Sequence, residues 1–585
     1  MRRALVVAVL LAGFGSCSAR QSADSVAWKP LSFDGSPSSN ENSRYRPVVS
    51  TAGMVVSDDR LANEWGAEVL RRGGNAVDAA VATAFMLAVT RPGFAALGGG
   101  GFIVYCPKDG GGCAALDYRE KAPSAATRDM YIREGKARTD LSQVGALAVG
   151  VPGTPAGLVL ALEKWGRLPL RMILEEPIRT ARKGIRVTGW LEYAIDERWK
   201  DMNDEARRVF GCRGKPCPAG AVLKQEDHAR VLEELVRKGA RGFYEGEVAR
   251  KIVRAVRAAG GILTEEDLRS YRPEIRIPVS GTYKGYEIIS MPPPSAGGAM
   301  VVQLLGYFER AEKQGALSEG FGSASAVHAQ AHALALSFAD RAELFGDPAF
   351  VRIPLERFLS SAYLDERWKT FDPSRAALPV KAGIEAPASG GSQTTHLSVV
   401  DREGGAVALT TTLNRLMGSA FVAPGTGVLL NDEMDDFSIQ PGVPNVFGLV
   451  GSAANAIAPG KRPLSSMAPT IVRDSAKRVR LVIGAQGGPR ITSSVALAIQ
   501  NRFGFGLSVV DAVFAPRIHQ QWKPAALRYE VPGLAPETLS RLEALGYALK
   551  PEIWDVARIH ALERFESGRV WGVADPRGEG SAVAE

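Results

Sequence analysis

Long apolar runs are missing from this sequence. No stretch of 18 apolar residues occurs in the 585, so no segment qualifies as a helix spanning a bilayer. Histidine and cysteine are scarce, with six and five copies, which leaves little material for a transition-metal centre. The 63 glycines follow no Gly-X-Y period, which excludes collagen and points to tight turns and close backbone approaches. The net charge of +8 arises from Lys and Arg interspersed with Asp and Glu; no basic stripe interleaved with aromatics marks a nucleic-acid face. Neither a GxGxxG nor a glycine loop ending in Lys-Ser or Lys-Thr is present, so no phosphate-binding loop is indicated. Apolar residues at 45% and charged residues at 23% are ordinary globular values and exclude wholesale disorder. The length suggests two to four domain-sized units.

The chain front reads as an export signal over residues 1–19. Arg2 and Arg3 precede the apolar run Ala4–Ala12, and mostly small residues follow from Gly13 to Ala19. Two exits compete. Phe14-Gly15-Ser16-Cys17 resembles a lipoprotein box that would lipidate Cys17, with Phe14 where Leu is usual; the other exit is ordinary cleavage after Ala19. Export to the periplasm, soluble or lipid-anchored, is the expectation. Cys106 with Cys113 and Cys212 with Cys217 form two close pairs around Gly- or Pro-bearing loops, read as local disulfides of an oxidising compartment, with four buried thiols as the rival. Neither spacing is a CxxC and no His is adjacent, which argues against zinc.

Residues 20–50, rich in Ser, Asn, Pro and Arg, read as a flexible lead-in. Leu61, Trp65, Val69 and Leu70 recur at helical spacing up to Gly73-Gly74. Asn75 can cap a second helix that runs to about Val89 and is apolar nearly all round, hence buried. Strands are expected at Gly101–Cys106 and Ala114–Tyr118, with a tight turn at Gly98–Gly101. Helical patterns dominate about 155–260 and 325–345, and after Ser392 the character changes to short β-branched runs. Residues 394–401 alternate polar and apolar, turn at Arg402–Gly405, and return with the same alternation to Thr412. A hairpin there brings Thr412 beside Thr394 and Thr395.

These segments carry a resemblance. QTTHLSVVD, NDEMDDF, PGVPN, KRPLSSMAPT and ADPR, preceded by GMVVSD, GGNAVDAAVATA, GGGGF, DYREKAP, GVPG, PPPSAGG and FADRAELFGDP, resemble the γ-glutamyltranspeptidases of the N-terminal nucleophile hydrolase superfamily over nearly the whole mature chain. The resemblance implies an α+β fold, a four-layer αββα sandwich. It is built from a large subunit, 51–393, and a small one, 394–585, made when the precursor cuts itself between Gln393 and Thr394. It implies Thr394 as nucleophile, its freed α-amine as base, Thr412 as its orienting partner, and Gly487 and Gly488 as the oxyanion hole. Arg119, Ser465 and Ser466 would bind the substrate carboxylate, and Asn414, Glu433 and Asp436 its ammonium. The substrates implied are glutathione and other γ-glutamyl amides, with water, amino acids or dipeptides as acceptors, and with no cofactor or metal.

Single residues add detail. The acidic cluster Asp432, Glu433, Asp435 and Asp436 lacks the spacing of a calcium hand. His328 and His332 stand i, i+4 without the Glu of a metalloprotease helix. His396, two residues after Thr394, is a candidate to tune the nucleophile. Phe447 stands where several bacterial relatives carry Tyr, which implies a looser lid over the substrate. Two rivals remain: a glutaryl or cephalosporin acylase of the same superfamily, and a catalytically silent binding protein on the same fold.

Overall fold

A computed structural model of the chain describes residues 46–376, 394–553 and 557–585. The signal segment with Cys17, most of the lead-in, and Gln393 lie outside the described residues. Strands in chain order are β1 (Val48–Ser50), β2 (Met54–Ser57), β3 (Gly100–Cys106), β4 (Ala114–Asp117), β5 (Glu274–Arg276), β6 (Val279–Tyr283) and β7 (Tyr286–Ser290). After residue 393 come β8 (Thr394–Val400), β9 (Ala406–Thr412), β10 (Thr470–Arg473), β11 (Val479–Gln486), β12 (Arg558–Arg564), β13 (Val570–Ala574) and β14 (Ser581–Ala584). They form two seven-stranded sheets, ordered β1-β13-β12-β11-β10-β7-β6 and β5-β4-β3-β9-β8-β2-β14. Each sheet mixes strands from both sides of position 393, so a cut there yields two pieces that share one core.

Helices complete four layers. Arg60–Arg71 (α1) and Ala76–Thr90 (α2) cover the sheet containing β8, while Gly297–Lys313 (α3) and Arg490–Phe503 (α5) flank the other, with Ala324–Leu344 (α4) against α3. All fifteen residues of α2 are buried, as its apolar composition requires. Its start is a capping box: Asn75 accepts from the Val77 and Asp78 amides, and Asp78 accepts from the Asn75 N–H. α1 stops where Gly73, at φ +90°, turns the chain and the Gly73 and Gly74 amides bond back to Leu70 and Val69.

The expected hairpin is present and in the expected register. β8 and β9 pair Thr394 with Thr412 and Thr395 with Thr411. Gly404, at φ +100°, makes the turn, and Asp401 fixes it by accepting from the Gly404 and Gly405 amides, both at 2.8 Å. The other Asp401 oxygen accepts from Ala76 N–H at the start of α2, so one carboxylate ties hairpin to helix. Cys106–Cys113 and Cys212–Cys217 are disulfides, as the spacing suggested.

Two expectations are corrected. Val48–Ser50, assigned to the lead-in, is an edge strand paired with Val570–Gly572. Gly98–Gly101 is a turn only at its start, where the Gly99 N–H bonds back to the Ala96 carbonyl at 3.2 Å: Gly100 and Gly101 open β3, and none of the four has a positive φ. Their small size answers close packing instead, because a Cβ on Gly99 would stand 2.0 Å from the Thr412 carbonyl oxygen and one on Gly101 2.3 Å from that of Thr410.

Candidate active site

The ends of several strands converge on one pocket. Thr394 begins β8, Thr412 ends β9, Arg119 follows β4 by two residues, Ser465 and Ser466 precede β10, and Gly487-Gly488 follow β11. Thr394, Thr412, Arg119, Asn414, Glu433, Asp436, Ser465, Ser466 and Gly488 line a single pocket, together with the apolar Phe447, Leu449, Met467, Pro489 and Ile491. Residues drawn from motifs more than 300 positions apart thus share one space.

At the nucleophile end, the Thr394 hydroxyl donates to Thr412 Oγ1 at 3.3 Å, and Thr412 Oγ1 also accepts from the Asn414 N–H at 2.9 Å. Asn414 holds a left-handed conformation, φ +76°, which Asn tolerates better than most residues. Its Nδ2 donates to the Asp432 carbonyl at 3.0 Å, so the amide oxygen is the end available to a cation. Gly487 and Gly488 have φ of +146° and +53°, and α5 begins two residues on at Arg490. A Cβ on Gly487 would lie 2.7 Å from that of Ala557. Glycine therefore serves both backbone conformation and close packing here, and brings two amides to the mouth of a helix N-terminus.

At the recognition end, the Arg119 guanidinium is held like a fork in a rack. Nε donates to the Pro463 carbonyl at 3.2 Å, Nη1 pairs with Glu433, and Nη2 pairs with Asp436. Burial would lower the Arg119 pKa, but Glu433, Asp436 and Glu120 hold it above its usual value, so the cation persists. The acids feel the opposite balance. Burial pushes Glu120 up to about 8 and Asp432 up to about 7 against the pull of nearby arginines, and pushes Asp435 up to about 6. Burial likewise raises Glu433 and Asp436, with Arg119 opposing.

The acidic cluster is a 3₁₀ turn, Glu433–Asp436, in which each carboxylate has at least one partner while Glu433 Oε2 is buried without one. Asp435 accepts from Ser142 Oγ at 2.6 Å and from the Val446 N–H at 2.9 Å, and Asp436 Oδ1 accepts from Asn445 Nδ2 at 3.1 Å. Both last contacts fasten the 441–451 loop over the pocket. Phe447 sits on that loop and lines the cavity, with its own carbonyl accepting from Gln521 Nε2 at 3.2 Å.

Residues 62–585 match the Gamma-glutamyltranspeptidase family. The chain belongs to the γ-glutamyltranspeptidase family. It is 41% identical over 583 residues to the glutathione hydrolase proenzyme of Escherichia coli (strain K12), an alignment spanning 98% of this chain and 97% of that one. Among solved structures, cephalosporin acylase from Bacillus halodurans superposes with a TM-score of 0.79 at 26% identity, over 96% of this chain and 99% of that one. The Helicobacter pylori γ-glutamyltranspeptidase gives 0.54 at 36% identity, over 57% of this chain and 96% of that one. The four-layer sandwich is accordingly that of the N-terminal nucleophile hydrolases, and this γ-glutamyltranspeptidase-family chain is an enzyme of that class.

Not every polar residue near the nucleophile reaches the cavity. His396 turns away: its ring nitrogens engage Thr410 Oγ1 at 2.8 Å and Ser398 Oγ at 3.1 Å, and the ring lies on Gly484, where a Cβ would meet it at 2.3 Å. Burial, with the neighbouring His560, holds its pKa well below the usual value, so it is a neutral packing element between the sheets. His328 bonds to Tyr547 Oη and the Asp372 carbonyl, and His332 to Thr370 Oγ1, far from a ligand set. Sequence reasoning missed Asp58, Gln486 and His560, which cluster behind Thr394 and Thr395. Asp58 ends the GMVVSD string, but a lone acid after an apolar strand carries no local signal of its partners.

Proposed function

We propose that the chain is a self-processing γ-glutamyl hydrolase and transferase acting on glutathione and related γ-glutamyl amides. One observation carries the reading. A candidate nucleophile, an arginine fork, a hydroxyl pair and an acidic set with an amide oxygen line the same cavity. A γ-glutamyl group presents one carboxylate and one ammonium, and each finds its complement there. The carboxylate meets Arg119 and the hydroxyls of Ser465 and Ser466, where a planar fork offers paired donors. The ammonium meets Glu433, Asp436 and the Asn414 amide oxygen. Binding such a zwitterion adds no net charge to a buried site already holding several acids, and it alternates charges of opposite sign.

The chemistry follows from a chain end at Thr394. Its hydroxyl first attacks the Gln393 carbonyl, the acyl group passes from nitrogen to oxygen, and water hydrolyses the ester to free the threonine α-amine. A free α-amine titrates near 7.7–8.0, so near neutrality a useful fraction accepts the proton of the hydroxyl as it attacks the substrate γ-carbonyl. The Gly487 and Gly488 amides stabilise the resulting oxyanion. The amine departs with that proton, leaving a γ-glutamyl ester on Thr394. Water then releases glutamate, or an amino acid or dipeptide takes the acyl group.

The pieces before and after position 393 remain together as a heterodimer in this proposal. So does export, with a signal ending at Cys17 as a lipid anchor or at Ala19, and the two disulfides suit the oxidising compartment this implies. The loop that carries Phe447 lacks a phenol to close on Asn414, which favours water as acceptor. An acylase reading accounts for Thr394 and the glycines but brings no substrate ammonium to Glu433, Asp436 and the Asn414 amide oxygen, leaving the two acids with Arg119 alone. Turnover of a γ-glutamyl anilide against a glutaryl anilide tests it: γ-glutamyl preference supports the proposal, and glutaryl preference overturns it.

A further inference from the structure

A buried carboxylate joins the nucleophile strand to the oxyanion loop from behind. Asp58 is only 4% exposed. Its Oδ2 accepts from the Thr395 hydroxyl at 2.7 Å and its Oδ1 faces His560 Nε2 at 3.0 Å. The third partner is Gln486, the last residue of β11 and the neighbour of Gly487. In the amide orientation that satisfies its surroundings, Gln486 nitrogen donates to Asp58 Oδ2 at 2.8 Å and to the Thr394 carbonyl, and its oxygen accepts from Arg558 Nη1 at 2.9 Å. None of these side chains lines the pocket. Burial alone would raise the Asp58 pKa; His560, Arg558 and Arg91 outweigh it and keep the group ionised.

We propose that Asp58 is a positioning residue that sets the Thr394 hydroxyl against the Gly487-Gly488 amides by holding Thr395 and Gln486 at once. The inference rests on the proposed function of the pocket. Its physical basis is the geometry of a cut strand. Once the bond before Thr394 is broken, that residue is secured by its β9 pairing on one side and by whatever grips Thr395 and the Thr394 carbonyl on the other. Asp58 grips the first directly and the second through Gln486. The same carboxylate thereby fixes the final side chain before the oxyanion glycines, so a single group controls the separation of attacking oxygen and stabilising donors. Misplacing them by a fraction of an ångström affects the transition state and leaves γ-glutamyl recognition, built on other elements, in place.

The test uses full-length, self-processed protein with Thr395→Val, Thr395→Ser and Asp58→Asn. Thr395→Val removes the donor to Asp58 at nearly constant volume. Its kcat for a γ-glutamyl anilide is expected to fall about 10- to 100-fold with KM within about threefold, the range of a charge-assisted hydrogen bond. Thr395→Ser, which restores the donor, is expected to recover most of the loss. Asp58→Asn, which weakens the hold on Thr395 and on Gln486 together, is expected to lower kcat by at least that factor, and adding Thr395→Val to it should cost less than Thr395→Val alone, because the contact it removes is already weakened. If Asp58→Asn does not fold, the two Thr395 variants decide alone. Unchanged kcat in Thr395→Val, a change in KM instead, or equal loss in the Val and Ser variants would overturn the inference. An unmodified protein without γ-glutamyl turnover would sink the functional proposal itself, a different result.

Discussion

Replacing Asp436 by Asn removes one negative charge from the recognition end and, with it, the Asp436 Oδ2 pair with Arg119 Nη2. Asp436 Oδ1 accepts from Asn445 Nδ2, and an Asn side chain keeps an oxygen for that contact, so the loop stays fastened. Arg119 keeps Glu433 as a partner, so no guanidinium is orphaned in a buried site. What is lost is a charged acceptor for the substrate ammonium, worth about 1.5–3 kcal/mol for a hydrogen bond to a charged group. That corresponds to a fall of roughly 10- to 150-fold in kcat/KM for a γ-glutamyl anilide. A glutaryl anilide has the same carboxylate and scissile bond but no ammonium, so its already low turnover should not fall and the ratio of the two should shift by the same factor. Initial-rate kinetics on both anilides with both proteins give the answer. Equal losses on the two substrates would refute the assignment, showing that Asp436 acts only by ordering Arg119.

Thr412→Val leaves the Asn414 N–H without its acceptor and the Thr394 hydroxyl without its partner; kcat is expected to fall about 10- to 100-fold, with most activity recovered by Thr412→Ser in steady-state assays. Gly484→Ala places a methyl 2.3 Å from the His396 ring; an overpacked sheet interface should lose about 1–3 kcal/mol of stability, read as a lower midpoint in thermal unfolding. Asp435 has its pKa raised by burial to about 6, above the unfolded value near 3.9. Its charge therefore opposes folding at neutral pH, and that penalty is relieved as pH falls through about 6. Denaturant unfolding should accordingly show Asp435→Asn gaining on the unmodified protein between pH 4.5 and pH 7.5 by about 2 kcal/mol. A flat difference across that range would show that the carboxyl is not strained.

Local patterns in the sequence reached far into the site. Alternation across 394–412 with Gly404 at the turn sets a register in which Thr394 can only face Thr412, and Asn75 announces the capping box that starts α2. Recognition residues such as Arg119 and Ser466 were legible only through motif resemblance, because nothing in their neighbourhoods says that the more than 300 positions between them fold back to join them. Asp58 and Thr395 lie inside motif strings, but neither kind of signal marked the contacts that join them. The partners of Asp58 are Thr395, Gln486 and His560, 337, 428 and 502 positions away, and their contact depends on how two sheets stack. Gly98–Gly101 misled for a related reason: a glycine run looks the same whether the backbone must turn or a neighbouring strand must come close.

Determining the first residue of the smaller chain in the purified protein, together with γ-glutamyl turnover of the same sample, tests the central claim most directly. The account predicts two chains, the smaller beginning at Thr394, and loss of turnover when that side chain becomes Ala. A single unbroken polypeptide that still releases glutamate, or full turnover in Thr394→Ala, would contradict it.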